Sequence, residues 1–315
     1  MILIYTEGGK ELGLGHLSRI SPIYKYLSEN GYETKVILFG DELAMAYLNV
    51  NNIPFTISEK YTKINPLANK KYTWLVDSTD IYNDEVLNDI KKYSVSTILL
   101  SPKFNISKCT YFTASVLRSD PYNLPIDSKF ISSHYFIYNN SKIELDNSKF
   151  VLGIALSGGS NNIVISELVS KIINDEKIYE KVQKIKVFIG GSDFLQFKRK
   201  TKESFEIELE FISSLKSLWN YAENIDLMIV GNGILVDECI FEQKPFFIFN
   251  PDENNKLIIK SDFIKNSNEK YIVDFNNVTD KMSWYLNQNK KKSLNFISKP
   301  ILNNMYLDKI ISEIS

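Results

Sequence analysis

"MILIYTEGGKELGLGHLSRISPIYKYLSENG" occupies residues 1–31 and decides how the rest of the chain is read. "ILIY" (2–5) is an apolar run of strand length with no polar side to offer to water, so it reads as a strand buried on both faces. "HLSRISPIYKYLSENG" (16–31) carries apolar residues at helical spacing and stops at Gly31, which marks an amphipathic helix. Between the two lies a glycine-spaced turn. A buried strand that passes through such a turn into a helix is the opening of a βαβ unit, the building block of a parallel sheet.

The same rhythm continues outward. "TKVILFG" (34–40), "TWLVDS" (73–78) and "STILLSP" (96–102) are strand candidates, separated by helical patterns at about 42–50 and 83–93. From about 103 to 145 the pattern is irregular, with strand-like pieces such as "HYFIYN" (134–139). It then restarts with "FVLGIALSGGS" (150–160) and the helix "IVISELVSKII" (163–173). "IKVFIGGS" (185–192), "IELEFI" (207–212), a helix around 214–223, "IDLMIVGNG" (225–233), a helix to about 243 and "PFFIFNP" (245–251) follow. The expected fold class is α/β, with two doubly wound Rossmann-like domains facing a cleft. The boundary falls near 140–150, giving domains 1–145 and 146–315, with a last helix at roughly 303–313 as a candidate to pack back on the first. A single long sheet is the alternative.

Composition narrows the function. The formal net charge is −1, with acids and bases interspersed, so a general nucleic-acid binder is not expected. The basic runs "FKRK" (197–200) and "KKK" (290–292) are short and read as solvated helix ends. Cys109 and Cys239 lie far apart and read as free thiols in a reducing cytoplasm. No apolar run reaches the roughly 18 residues of a membrane span, and no secretory pattern opens the chain. No cluster of His, Cys or carboxylates shows metal-ligand spacing, so neither a metal nor a cofactor is expected.

Four strand-to-turn-to-helix junctions are rich in glycine: "EGGKELGLGH" (7–16), "SGGSNN" (157–162), "GGSD" (190–193) and "GNGILVDE" (231–238). None has the spacing of a phosphate-binding loop or a dinucleotide fingerprint. Each has two readings. The glycines serve backbone conformations that other residues avoid, or they let the backbone approach a ligand at a helix N-terminus. Recurrence in both halves favours a ligand gripped by its phosphates in one half and met by reacting groups in the other. In "IDLMIVGNGILVDECIFEQKPFFIF" (225–249), Gly231, Asn232 and Gly233 form the turn, and Glu238 falls about one and a half turns into the next helix. A carboxylate there can accept two hydrogen bonds from a sugar diol such as ribose. The alternative is that Asp237 and Glu238 only complement the helix dipole.

"GLGHLSR", "SGGS" and "VGNGILVDECIFEQKPFFIF" occur in an order that resembles GT-B-fold proteins acting on nucleotide sugars. The nearest resemblance is to the UDP-sugar hydrolase of pseudaminic acid biosynthesis and its spore-coat polysaccharide relatives. The lipid II-forming N-acetylglucosaminyltransferase is a more distant one. The resemblance covers most of the chain in outline and about 40 residues in motifs. It implies that His16 is the general base and that Gly158, Gly159 and Glu238 bind the nucleotide. The sequence departs from the family in two places. Asp77–Ser78–Thr79–Asp80 stands where a histidine or aromatic stretch is usual, and Ser101–Pro102–Lys103 replaces an acidic pair. Since the first domain holds the sugar in this family, the substrate and the reaction are both put in question.

His16 is one of only two histidines, and its place after the first strand makes it the better candidate for proton transfer. His134, in a strand-like segment, reads as structural. Gly13 and Gly15 frame the turn, Arg19 is placed to meet a carboxylate or phosphate or to cover the helix flank, and Asp77 joins the substrate-side set. The expected chemistry is inverting displacement at the anomeric carbon of a nucleotide-diphosphate sugar. Backbone N–H groups at Gly158–Gly159–Ser160 and Gly231–Asn232–Gly233 would hold the pyrophosphate. Asn254 and Asn255 would add hydrogen bonds or cap a helix. Water as nucleophile makes a hydrolase of bacterial surface-glycan biosynthesis, which is the main expectation. A sugar or lipid-linked hydroxyl makes a glycosyltransferase. A non-catalytic nucleotide-sugar binding protein is the third reading.

Overall fold

A computed structural model describes residues 1–60, 72–79, 81, 83–100, 109–112, 129–131, 150–156, 162–189, 207–213, 218–222, 224–231, 233–242, 244–251, 272–287 and 312. The chain divides into two compact units, Met1–Asn139 with Ile301–Ser315, and Asn140–Pro300.

The first unit holds β1 (Ile2–Gly8), β2 (Thr34–Gly40), β3 (Phe55–Ile57), β4 (Tyr72–Asp77), β5 (Ser94–Leu99), β6 (Thr110–Phe112) and β7 (Lys129–Ile131). They form one sheet in the order β3-β2-β1-β4-β5-β6-β7, with every neighbouring pair parallel. The named helices among the described residues are α1 (Gly15–Glu29), α2 (Glu42–Val50) and α3 (Asp84–Tyr93). β1 is buried on both faces, as its unbroken apolar run requires. Ile2 and Ile4 pack with Leu17, Ile20, Ile23 and Leu27 of α1, whereas Leu3 and Tyr5 pack with Trp74 of β4 and with Val86 and Ile90 of α3. The buried positions of α1 keep helical spacing through Pro22, and the helix is stopped by Gly31 at φ +80°.

The second unit repeats the plan. β8 (Phe150–Ala155), β9 (Val182–Phe188), β10 (Glu208–Ile212), β11 (Leu227–Val230), β12 (Phe246–Phe249) and β13 (Ile272–Val273) are arranged β10-β9-β8-β11-β12-β13, all parallel. Its helices among the described residues are α4 (Asn162–Ile173), α5 (Glu176–Tyr179), α6 (Ile234–Phe241) and α7 (Val278–Asn287). Strand order reverses between β1 and β4 in one sheet and between β8 and β11 in the other. In open parallel sheets ligands bind beyond the carboxyl ends of the strands at such reversals.

Two readings of the sequence are refined, and two fall outside the described residues. The irregular stretch at 103–145 contributes β6 and β7, each only three residues long. Where a helix is expected around 214–223, the described residues include a 3₁₀ turn, Leu218–Asn220, and Asn224 follows at φ +62° before β11 begins at Leu227. The helix at 303–313, save Ser312, and the piece at 134–139 lie outside the described residues.

Gly8 and Gly40 face each other across the β1–β2 pair. A methyl group on Gly40 would strike the carbonyl oxygen of Gly8 and crowd the Ala44 Cβ at 2.8 Å. Gly40→Ala is therefore expected to lower stability by about 1–3 kcal/mol, read as a shifted urea midpoint.

Candidate functional site

The loop after β1 is folded back on itself. Gly9 and Gly13 exchange two backbone hydrogen bonds, the Gly9 N–H to Gly13 O at 3.0 Å and the reverse at 2.8 Å. Gly13 takes φ +75°, which its lack of a Cβ permits. Asp41 pins the loop from outside. It accepts from the Lys10 N–H at 2.8 Å and caps α2 through the N–H groups of Leu43 and Ala44. The loop thus delivers the first turn of α1 onto the carboxyl ends of β1 and β4.

Four charged or titratable side chains meet there. β1 and β4 pair in the register Thr6↔Asp77, so Glu7 and Ser78 are the next residues along. His16 is the second residue of α1, and Arg19 follows one turn later on the same face. Arg19 grips Asp77 with two bonds, Nε to Oδ2 at 2.8 Å and Nη2 to Oδ1 at 2.7 Å. The Nδ1 of His16 lies 2.8 Å from Asp77 Oδ1 and 2.8 Å from Arg19 Nη2. With a proton on Nδ1 the ring donates to Asp77; without one it accepts from Arg19. The opposite nitrogen, Nε2, lies 3.4 Å from Glu7 Oε1. Glu7 is itself held by the Ser78 hydroxyl at 2.6 Å and the Thr79 N–H at 2.5 Å.

Burial alone would push the Asp77 carboxyl up, but the Arg19 guanidinium and the His16 imidazole outweigh it and hold that carboxyl well below the usual carboxylate range. Asp77 and Glu7 are fully buried, whereas the His16 and Arg19 side chains are each 14% exposed. Of the four side chains, the imidazole and the guanidinium are therefore the two that keep some exposure.

In the second unit the Gly231 N–H donates to Ala155 O at 3.0 Å, joining the ends of β8 and β11 at the reversal. Gly233 leads into α6. Glu238 lies within α6, buried, with Oε2 accepting from the Trp219 indole N–H at 2.9 Å. Burial pushes its carboxyl up to about 7, against the pull of the Trp219 N–H and with a further push from Glu242. At the other end of β8, Asp226 accepts from the Val151 N–H at 2.8 Å, and the buried Lys244 donates to Ile225 O at 2.8 Å. Burial lowers the Lys244 ammonium to about 8.

His16, Arg19 and Asp77 come together, with Gly13 and Gly15 in the turn beside them. Gly231, Gly233 and Glu238 share the junction of β11 with α6. Gly158, Gly159, Ser160, Asn232, Asn254 and Asn255 lie outside the described residues. Glu7 and Trp219 contact candidate site residues and were not singled out in the sequence. The sign of Glu7 was an acid directly after a buried strand; nothing singled out Trp219. Among the described residues no group of three or more His, Cys, Asp or Glu side chains is placed to hold a metal ion, and no helix is long and apolar enough to cross a membrane.

No protein-family model matches the chain, and no curated protein sequence is similar to it. Solved structures match over its whole length. MurG of Acinetobacter baumannii has a TM-score of 0.51 at 12% identity and covers 99% of both chains. The glycosyltransferase SnogD of Streptomyces nogalater has a TM-score of 0.56 at 10% identity, over 100% of this chain and 99% of that one. WaaG, a glycosyltransferase involved in lipopolysaccharide biosynthesis, has a TM-score of 0.54 at 11% identity over 100% of both. Two all-parallel α/β domains matched end to end in this way define the GT-B fold.

Proposed function

We propose that this chain is a glycosyltransferase that takes a sugar from a nucleotide-diphosphate donor, UDP-linked, and passes it with inversion to a hydroxyl acceptor in the cytoplasm. The observation that carries the reading is the His16–Asp77–Arg19 cluster at the sheet reversal of the first unit, in a chain whose fold is that of glycosyltransferases. His16 takes the proton of the attacking hydroxyl while Asp77 orients the ring and balances its charge. As the new C–O bond forms at the anomeric carbon, the bond to the diphosphate breaks and its electron pair leaves with the phosphate oxygen. Backbone N–H groups of the 158–160 and 231–233 turns meet that charge, and Glu238 meets the ribose. Asn254 and Asn255 belong to the same nucleotide end.

Water as the nucleophile is the second reading, favoured by the likeness of "GLGHLSR" (13–19) to the nucleotide-sugar hydrolases. Phosphorus NMR of the protein with a panel of nucleotide-diphosphate sugars, with and without sugar and lipid-linked acceptors, separates the two. Release of nucleoside diphosphate only with an acceptor supports transfer; release in water alone supports hydrolysis. Binding without release under any condition would overturn both and leave a sugar-nucleotide binding protein. His16→Ala is expected to lower turnover on the order of 10²-fold or more with the donor still bound.

A further inference from the structure

Trp219 has no part in the chemistry drawn so far, yet the second unit fastens it with care. It sits in the 3₁₀ turn Leu218–Asn220, buried, and its indole N–H donates to Glu238 Oε2 at 2.9 Å. The segment that carries it is tied down on both sides. Lys186 of β9 donates through Nζ to Tyr221 O at 3.0 Å, and Lys244 donates through Nζ to Ile225 O at 2.8 Å. Asp226 accepts the Val151 N–H at 2.8 Å through its carboxylate and returns its own N–H to Val151 O at 2.9 Å. The Lys244 N–H also donates to Cys239 O at 2.9 Å, so one lysine joins the Trp219 segment to the end of α6.

That brace ends on a carboxylate that the fold does not neutralise. Burying a carboxylate is costly unless cations or several donors offset it. Among the described residues the Glu238 carboxylate has one neutral donor, Trp219, and beside it the like charge of Glu242 rather than a cation. An apolar side chain would fill the place without that cost, and glutamine would serve the indole equally well. A carboxylate held in this way keeps acceptor capacity for a ligand.

We propose that Trp219 is a positioning residue for Glu238: its indole N–H holds Oε2 and fixes the carboxylate on α6, so that Oε1 is left to accept from the ribose hydroxyls of the nucleotide. Lys186, Lys244 and Asp226 set Trp219 against α6, so the reach of Glu238 is defined by the sheet instead of by the free rotamers of a glutamate. Without the N–H, ordering the side chain falls to the ligand, and recognition of the ribose weakens. The role of Trp219 rests on the reading of Glu238 as the ribose acceptor.

The test is calorimetric titration at pH 8 with UDP and with dideoxy-UDP, the analogue without the two ribose hydroxyls. The parent should prefer UDP, and Glu238→Gln should lower that preference. Trp219→Phe keeps an aromatic ring and removes the N–H. It should lower the preference by about three- to tenfold and leave the affinity for dideoxy-UDP unchanged. If Trp219→Phe does not fold, 3-benzothienylalanine at position 219 puts sulfur in place of the N–H within the same ring shape, and the same loss is expected. A merely structural role would weaken both ligands alike. That result, or an undiminished preference in a folded protein without the indole N–H, overturns the role of Trp219 while Glu238→Gln still lowers the preference. A parent without the preference, or a preference that Glu238→Gln leaves intact, overturns the reading of Glu238 and the proposal with it.

Discussion

Asp77→Ala is expected to lose about 3–5 kcal/mol of folding stability, read from urea denaturation at neutral pH. The side chain is fully buried and receives both Nε and Nη2 of Arg19 as well as contacting the imidazole of His16. Removing it leaves the guanidinium and the imidazole facing a cavity where their counter-charge stood. The pH dependence has a definite sign. The Asp77 carboxyl is held below its ordinary value in the folded protein, so the stability it contributes is complete above the unfolded pKa near 3.9 and is lost as pH falls through the folded one. The gap between parent and variant should narrow as pH falls below the unfolded carboxylate value. A gap of the same size at pH 2 would mean that packing, not charge, is what Asp77 supplies.

Glu238→Gln should act in the opposite direction. Its carboxyl is raised from 4.5 to about 7 in the folded protein, chiefly by burial. The folded state therefore holds a proton that the unfolded state has released, and stability falls as pH rises from about 4.5 to about 7, then levels off. Glutamine carries no charge to desolvate and still offers an oxygen to the Trp219 indole N–H. At pH 8 the variant should be more stable than the parent by about 3 kcal/mol, with the difference vanishing near pH 4.5. Calorimetric titration with UDP at pH 8 should show weaker binding despite that gain, since an ionised carboxylate is the better acceptor for a ribose diol. Equal slopes of stability against pH in the two proteins would sink the assignment.

The long buried strands were readable because burial on both faces leaves a run of apolar residues without interruption. β2 coincides with "TKVILFG" (34–40), and "ILIY" (2–5) lies within β1. The short strands β3, β6, β7 and β13 were not, because two or three residues at the outer positions of a sheet form no periodic pattern. His16 stood out by its turn and Asp77 by its place at the end of "WLVD", but that they touch is a fact of register across 61 residues. Glu7 was hidden for the same reason: the residues that hold it, Ser78 and Thr79, lie 71 and 72 positions away. Trp219 sat in a segment read as helical, and its hydrogen bond to Glu238 joins residues 19 positions apart.

The strand order carries a consequence for how the protein is made. β1 is synthesised before both of its neighbours, β2 and β4, and β3 is made between them, so the β4 edge of β1 has no partner strand until the fourth strand exists. Through that interval a nascent chain carries Glu7, His16 and Arg19 with no Asp77, Ser78 or Thr79 to neutralise or bind them. The second unit repeats the delay, with β8 waiting for β11. The meeting of His16 and Arg19 with Asp77 thus waits for the fourth strand of the first unit, which ties that cluster to the completion of the sheet rather than to its nucleation.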